Sequence, residues 1–109
     1  MASGRQYLEY ILEQLSGLSG VSHRAMMGEF ILYYGGKVIG GIYDDRLMVK
    51  PTASARALMP KASMEPPYSG AKDMLVVDNV DDRELLKRLV VSVYEELPDV
   101  KRRSGKGSI

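Results

Sequence analysis

The sequence contains no cysteine and a single histidine. The first absence rules out disulfide staples and thiolate metal sites, and it is compatible with a reducing compartment. The second leaves His23 without the three or four ligands of a tetrahedral metal site. Ser22 precedes His23, but neighbours on a strand point to opposite faces, so the two make no catalytic dyad. A structural or solvent-facing histidine is the expectation. Long hydrophobic runs are also missing. No stretch approaches the ~20 apolar residues of a membrane helix, and the start, Met-Ala-Ser-Gly-Arg, has no signal-peptide pattern. These features predict a cytoplasmic protein with no membrane contact. The glycine pairs Gly35-Gly36 and Gly40-Gly41 lie at a turn and inside a strand pattern, not between a strand and a helix, so they form no phosphate-binding loop.

What is present is one domain's worth of chain. A chain of 109 residues has room for a single core and buries roughly 65% of its unfolded surface. Its net charge of +1 conceals an asymmetry. Lys101, Arg102, Arg103 and Lys106 fall in the last nine residues; without those four, 11 basic residues face 14 acidic ones, and residues 1–100 carry −3. The expected organisation is a domain over 1–98 and a basic tail over 99–109. A nucleic-acid reader normally wears its positive charge on the fold. Four charges on a tail offer salt-sensitive affinity without sequence specificity, so nucleic acid is an admissible but disfavoured partner.

Along the chain, Ser3 and Gln6 have capping-box spacing. Tyr7, Leu8, Ile11, Leu12 and Leu15 then form an apolar helical face, and Gly17 is the expected left-handed stop, giving a helix over about 4–16. Glu29–Tyr34, the turn Gly35-Gly36, Lys37–Tyr43, the turn Asp44-Asp45 and Arg46–Lys50 read as a three-stranded meander. Turn chemistry explains the Asp pair more simply than metal binding does. Glycines inside a strand mark a bulge or a close approach, and a helix crossing at Gly40-Gly41 is the preferred explanation. Thr52–Met59 predicts a short helix before Pro60. Residues 60–72 predict a loop with room for a short edge strand, and 73–77 predict a strand. Asp81 and Glu84 open a last helix with the face Leu85, Leu86, Leu89, Val90, Val93, Tyr94 and Leu97. Asp78, Asp81, Asp82 and Glu84 read as cap and dipole complement, not as a cation site.

The order α-β-β-β-α-β(-β)-α predicts an α+β two-layer sandwich, with an antiparallel sheet of four to five strands and helices packed on it. Within it, Arg24, Met26, Gly28, Leu32, Tyr33, Gly36, Asp44, Leu47 and Lys50 resemble the signature of the TfoX N-terminal domain family. That signature runs roughly Arg-x-Met-Phe-Gly-Gly, Leu-Tyr, a glycine turn, a hydrophobic strand, Asp, and Leu-x-Leu-Lys. Met27 stands where the family often has phenylalanine, and Glu29 and Ile31 replace glycines. The family is best known from regulators of bacterial natural competence. The resemblance implies a fold similar to the type III secretion chaperones and brings no catalytic residue or cofactor with it.

Arg24, Met26, Met27 and Gly28 have two readings. The methionines can fill core gaps beside a bulge at Gly28, or the segment can be a partner-docking edge anchored by Arg24. Phe30, Tyr33, Tyr34 and Tyr43 can be imagined as a stacking platform for single-stranded nucleic acid, although such platforms lie in basic grooves and this body is acidic. The leading expectation is a non-enzymatic module acting through protein contact, with an unknown protein partner or a second copy of itself. The alternative is a nucleic-acid-associated regulator working through the tail.

Overall fold

A computed structural model of the protein describes residues 4–98. The chain forms α1 (Arg5–Gln14), β1 (Val21–Met26), β2 (Glu29–Tyr34), β3 (Lys37–Ile42), β4 (Leu47–Val49), α2 (Ala53–Leu58), β5 (Met64–Glu65), β6 (Met74–Val76) and α3 (Arg83–Glu96). All strand pairs are antiparallel, and the sheet order is β1-β2-β3-β4-β6-β5. The α+β architecture is as expected, with six strands where four to five were read. The additional strand is β1.

Strand alternation sends one set of side chains toward the helices. Phe30 and Leu32 of β2, Ile42 of β3, Leu47 and Val49 of β4, and Leu75 of β6 meet Leu8 and Ile11 of α1, Ala55 of α2, and Leu86, Leu89, Val90 and Val93 of α3 in one buried cluster. The last helix thus presents the stripe its sequence spacing predicts. Asp82 rather than Asp81 is its N-cap, accepting from the Leu85 N–H at 3.1 Å. Asp81 is instead the acceptor of the Tyr10 hydroxyl.

The helix ends are joined to one another by polar contacts. At the end of α3, Lys37 Nζ donates to the carbonyls of Tyr94 and Leu97 at 3.0 and 2.9 Å, complementing the negative end of the helix dipole. The Glu96 carboxylate accepts from the N–H groups of Ala53 and Ser54 at 3.0 and 3.1 Å and from the Ser54 hydroxyl, so one helix supplies the anion for the N-terminus of the next. Gln14, the buried polar side chain of α1, donates to the Val80 carbonyl and accepts from Arg83 Nε.

Three sequence expectations need correction. α1 stops at Gln14, where the Leu15 N–H is shared between the carbonyls of Ile11 and Leu12. Gly17 is not its left-handed stop; the positive φ falls at Gly20 (φ 100°). The expected cap Ser3 lies outside the described residues, and Gly4 takes the N-cap position without a side-chain bond. The glycines of β3 answer to a neighbouring strand, not to a crossing helix. A Cβ on Gly40 would overlap the Met48 carbonyl and lie 2.8 Å from Val49 Cα. On Gly41 it would lie 2.6 Å from the Phe30 carbonyl oxygen and 2.7 Å from the Tyr43 ring. The other part of that expectation is present: Leu32 pairs with Gly40 and Tyr33 with Val38, leaving Ile39 as the bulged residue.

This crowding is testable. Gly40→Ala is expected to destabilise by about 3 kcal/mol or more, because backbone cannot rotate away from the added methyl. Gly36→Ala, at φ 84° with open space around it, should cost only about 1–2 kcal/mol for its left-handed backbone. Urea denaturation of the two variants measures the difference.

Candidate functional site

The residues singled out in the sequence lie at one extremity of the sheet. β1 pairs with β2 from Val21↔Tyr34 to Met26↔Glu29. Among the described residues nothing pairs with its other edge. Five of its six residues are exposed. Met27 and Gly28 form the two-residue turn into β2, both with positive φ (53° and 86°), as in a type I′ hairpin. Gly28 therefore serves the turn and not a bulge.

The packing reading of the methionines does not hold. Met26 is 40% exposed and Met27 95% exposed. Met27 also occupies a left-handed conformation that costs a non-glycine residue about 1–2 kcal/mol. It neither fills the core nor suits its backbone. Arg24 is exposed and has no hydrogen bond or ion pair among the described residues. His23 is exposed too, its ring edge-on to Phe30 at 6.3 Å.

The sheet face turned away from the helices divides into two parts. Near β1 it carries Arg24 and Met26, with half-buried Ile31, Tyr33 and Val38 beside them, and no helix lies over it. Farther along, the chain between β5 and β6 roofs it: Pro67 is buried and Tyr68 stands 6.2 Å from the ring of Tyr43. The aromatic residues form no single platform. Phe30 and Tyr34 face the helices, Tyr33 and Tyr43 face away, and Phe30 and Tyr43 are buried. Glu29 accepts the Asp44 N–H at 3.1 Å, tying the tip of one hairpin to the next.

Lys50, a signature residue, follows Val49 at the end of β4, and the alternation of Leu47 and Val49 against Met48 and Lys50 puts it on the roofed face. Its side chain has no hydrogen bond or ion pair among the described residues, and desolvation lowers its pKa below the usual lysine value. Burial raises the pKa of Tyr43 above the usual tyrosine value, helped by Tyr68, Glu29 and Tyr33. Among the described residues no group of three or more His, Asp and Glu side chains can hold a metal ion. Lys101, Arg102, Arg103 and Lys106 lie outside the described residues.

The other signature positions are explained by the fold. Leu32 and Leu47 are core residues, and Gly28, Gly36 and Asp44 supply positive-φ turn positions. The model of the TfoX N-terminal domain matches residues 13–97. The chain belongs to the TfoX N-terminal domain family. It is also 32% identical over 107 residues to the uncharacterized 12.7 kDa protein in the trpE 5′ region of Spirochaeta aurantia, covering 97% of this chain and 93% of that one. No solved structure gives a significant match. In this TfoX N-terminal domain, Arg24, Met26, Tyr33 and Lys50 are the signature residues that neither the core nor a turn accounts for.

Three outcomes follow from these placements. Arg24→Ala should change unfolding free energy by less than about 0.5 kcal/mol, as expected for an exposed unpaired residue, whereas Met27→Asn should raise it by about 0.5–1 kcal/mol because Asn tolerates the left-handed turn. Lys50→Met should be at least as stable as the native chain at pH 7. A depressed folded pKa means the charged lysine opposes folding below that pKa, and the opposition fades as pH rises toward the unfolded value near 10.4. The stability gap should therefore close above about pH 10. The raised pKa of Tyr43, which weakens folding above pH 10, is common to both chains and cancels. Urea titrations between pH 7 and 11 check it.

Proposed function

We propose that this TfoX N-terminal domain is a cytoplasmic, non-catalytic contact module that accepts a strand at the outer edge of β1, and that a second copy of the chain is a partner it takes. The observation that carries the reading is the unprotected edge itself. Edge strands are normally blunted by proline, lysine, bulges or shortness. β5, at the far edge, has only two residues and is flanked by the Arg46–Glu65 ion pair at 2.5 Å. β1 has six residues, no proline, no lysine and no bulge against β2. In an antiparallel pair, alternate residues of β1 turn their N–H and C=O groups outward, where an added strand bonds to them.

Self-pairing that keeps both helical layers on one side requires facing residues of like orientation. Centred on Arg24, such a register sets two guanidinium groups opposite each other, which is destabilising. Centred on His23, it sets Ser22 opposite Arg24 and Val21 opposite Ala25, with no like-charge clash. Exposed Met26 and Met27 then lie beside the partner's strand as adaptable apolar contacts.

Sedimentation velocity from about 10 µM to about 1 mM, a range that reaches millimolar dissociation constants, tests this reading. The native chain should show concentration-dependent dimer, and Ala25→Lys combined with Met27→Lys should abolish it without loss of fold. A native chain that stays monomeric throughout removes the second copy as partner.

A further inference from the structure

The covered part of the sheet borders an open-sided cavity of about 460 Å³, within the size range of small-molecule sites. Its floor includes Tyr43 and Lys50, its roof Pro67 and Tyr68, and Met74 closes one side. The walls are overwhelmingly apolar carbon. We infer that this cavity binds a small organic monocarboxylate with an aromatic or branched apolar body, its carboxylate on the Lys50 ammonium and its body between Tyr43, Tyr68 and Pro67.

Three features lead there. Lys50 is half-buried among apolar groups and has no acidic partner within 4 Å among the described residues, although Asp73 also lines the cavity. A charged group held away from both water and a counter-ion is costly, and an incoming anion relieves that cost. The lowered pKa of Lys50 has desolvation as its cause, consistent with an ammonium that lacks a nearby compensating charge. The tyrosine rings supply aromatic surface for stacking. One half-buried ammonium suits one negative charge. Lys72 at the lining is exposed and Asp73 beside it repels any anion, a dianion twice as strongly as a carboxylate, so a phosphate dianion finds too few donors. The site lies on the roofed part of the sheet and does not depend on β1 making contacts.

The test is an NMR titration of the intact, uniformly ¹⁵N-labelled protein with 3-phenylpropionate and indole-3-acetate. The neutral 3-phenylpropan-1-ol and inorganic phosphate are run alongside. The carboxylates should shift the amides of Lys50, Thr52 and residues 68–74, with saturation below about 5 mM. Affinity should fall roughly tenfold or more for the alcohol, and for Lys50→Met with the carboxylates, the loss expected when a desolvated charge pair is removed. No response to either carboxylate at about 5 mM overturns the proposal. So does equal binding of the alcohol, phosphate binding as tight as the carboxylates', or shifts confined to another surface. Should Lys50→Met fail to fold, the comparison of acid with alcohol on the native chain decides the matter alone.

Discussion

The apolar stripe of α3 seated on the sheet is the contact from which the other elements take their positions. Leu86, Leu89, Val90 and Val93 are each at most 3% exposed, and they meet side chains of β2, β3 and β4 in one cluster with α1 and α2. A side chain of this size gains about 1.5–3 kcal/mol on full burial, so these four residues outweigh any single polar contact in the molecule. The polar contacts then set the angles. Lys37 anchors the C-terminus of α3 to β3, Glu96 anchors the N-terminus of α2 to α3, and Arg83 holds Gln14 of α1. Because every helix is drawn to one face, the opposite face of the sheet is left to shorter means of cover. The loop with Pro67 and Tyr68 covers its far part, and its near part, around β1, is left open.

That division separates two kinds of surface. The open edge offers backbone donors and acceptors along β1, with methionine and arginine beside them. A strand docking there, as proposed, would be recognised through main-chain pairing that tolerates varied side chains. The open-sided cavity offers the half-buried ammonium of Lys50 among apolar and aromatic walls, the setting on which the proposed small-anion site rests. Met48 is fully buried on this same side of the sheet, on the strand between β3 and β6.

Much of this fold was legible in the sequence, for identifiable reasons. α1 and α3 bury one stripe each, and that produces a clear helical period. β2 alternates because only one of its faces is buried deeply. The turns at Gly35-Gly36 and Asp44-Asp45 announce themselves by residue types that accept positive φ. β1 was not legible as a sheet strand. Its side chains are exposed on both faces, so Val-Ser-His-Arg-Ala-Met carries no alternation to read. The glycine pair in β3 signalled a close approach, but the identity of the intruder was a matter of strand-to-strand geometry. For the site, the cluster Arg24, Met26, Met27 and Gly28 was legible through family resemblance, while its exposure was not, since methionine is ordinarily a core residue. Lys50 was visible as the last residue of the strand read over Arg46–Lys50, one position past β4. What brings a roof over it is the buried Pro67, 17 positions away in sequence, and no local pattern reports such a contact.

Amide hydrogen exchange of Ser22–Met26, read residue by residue in dilute and in concentrated protein, tests most directly whether β1 is a docking edge. The account predicts alternating protection in dilute solution, with the outward-facing amides exchanging freely. Those same amides should become protected as concentration rises, while exchange in the α3 core stays unchanged. Outward amides that exchange freely at every concentration, or that are already protected in the dilute monomer, would contradict it.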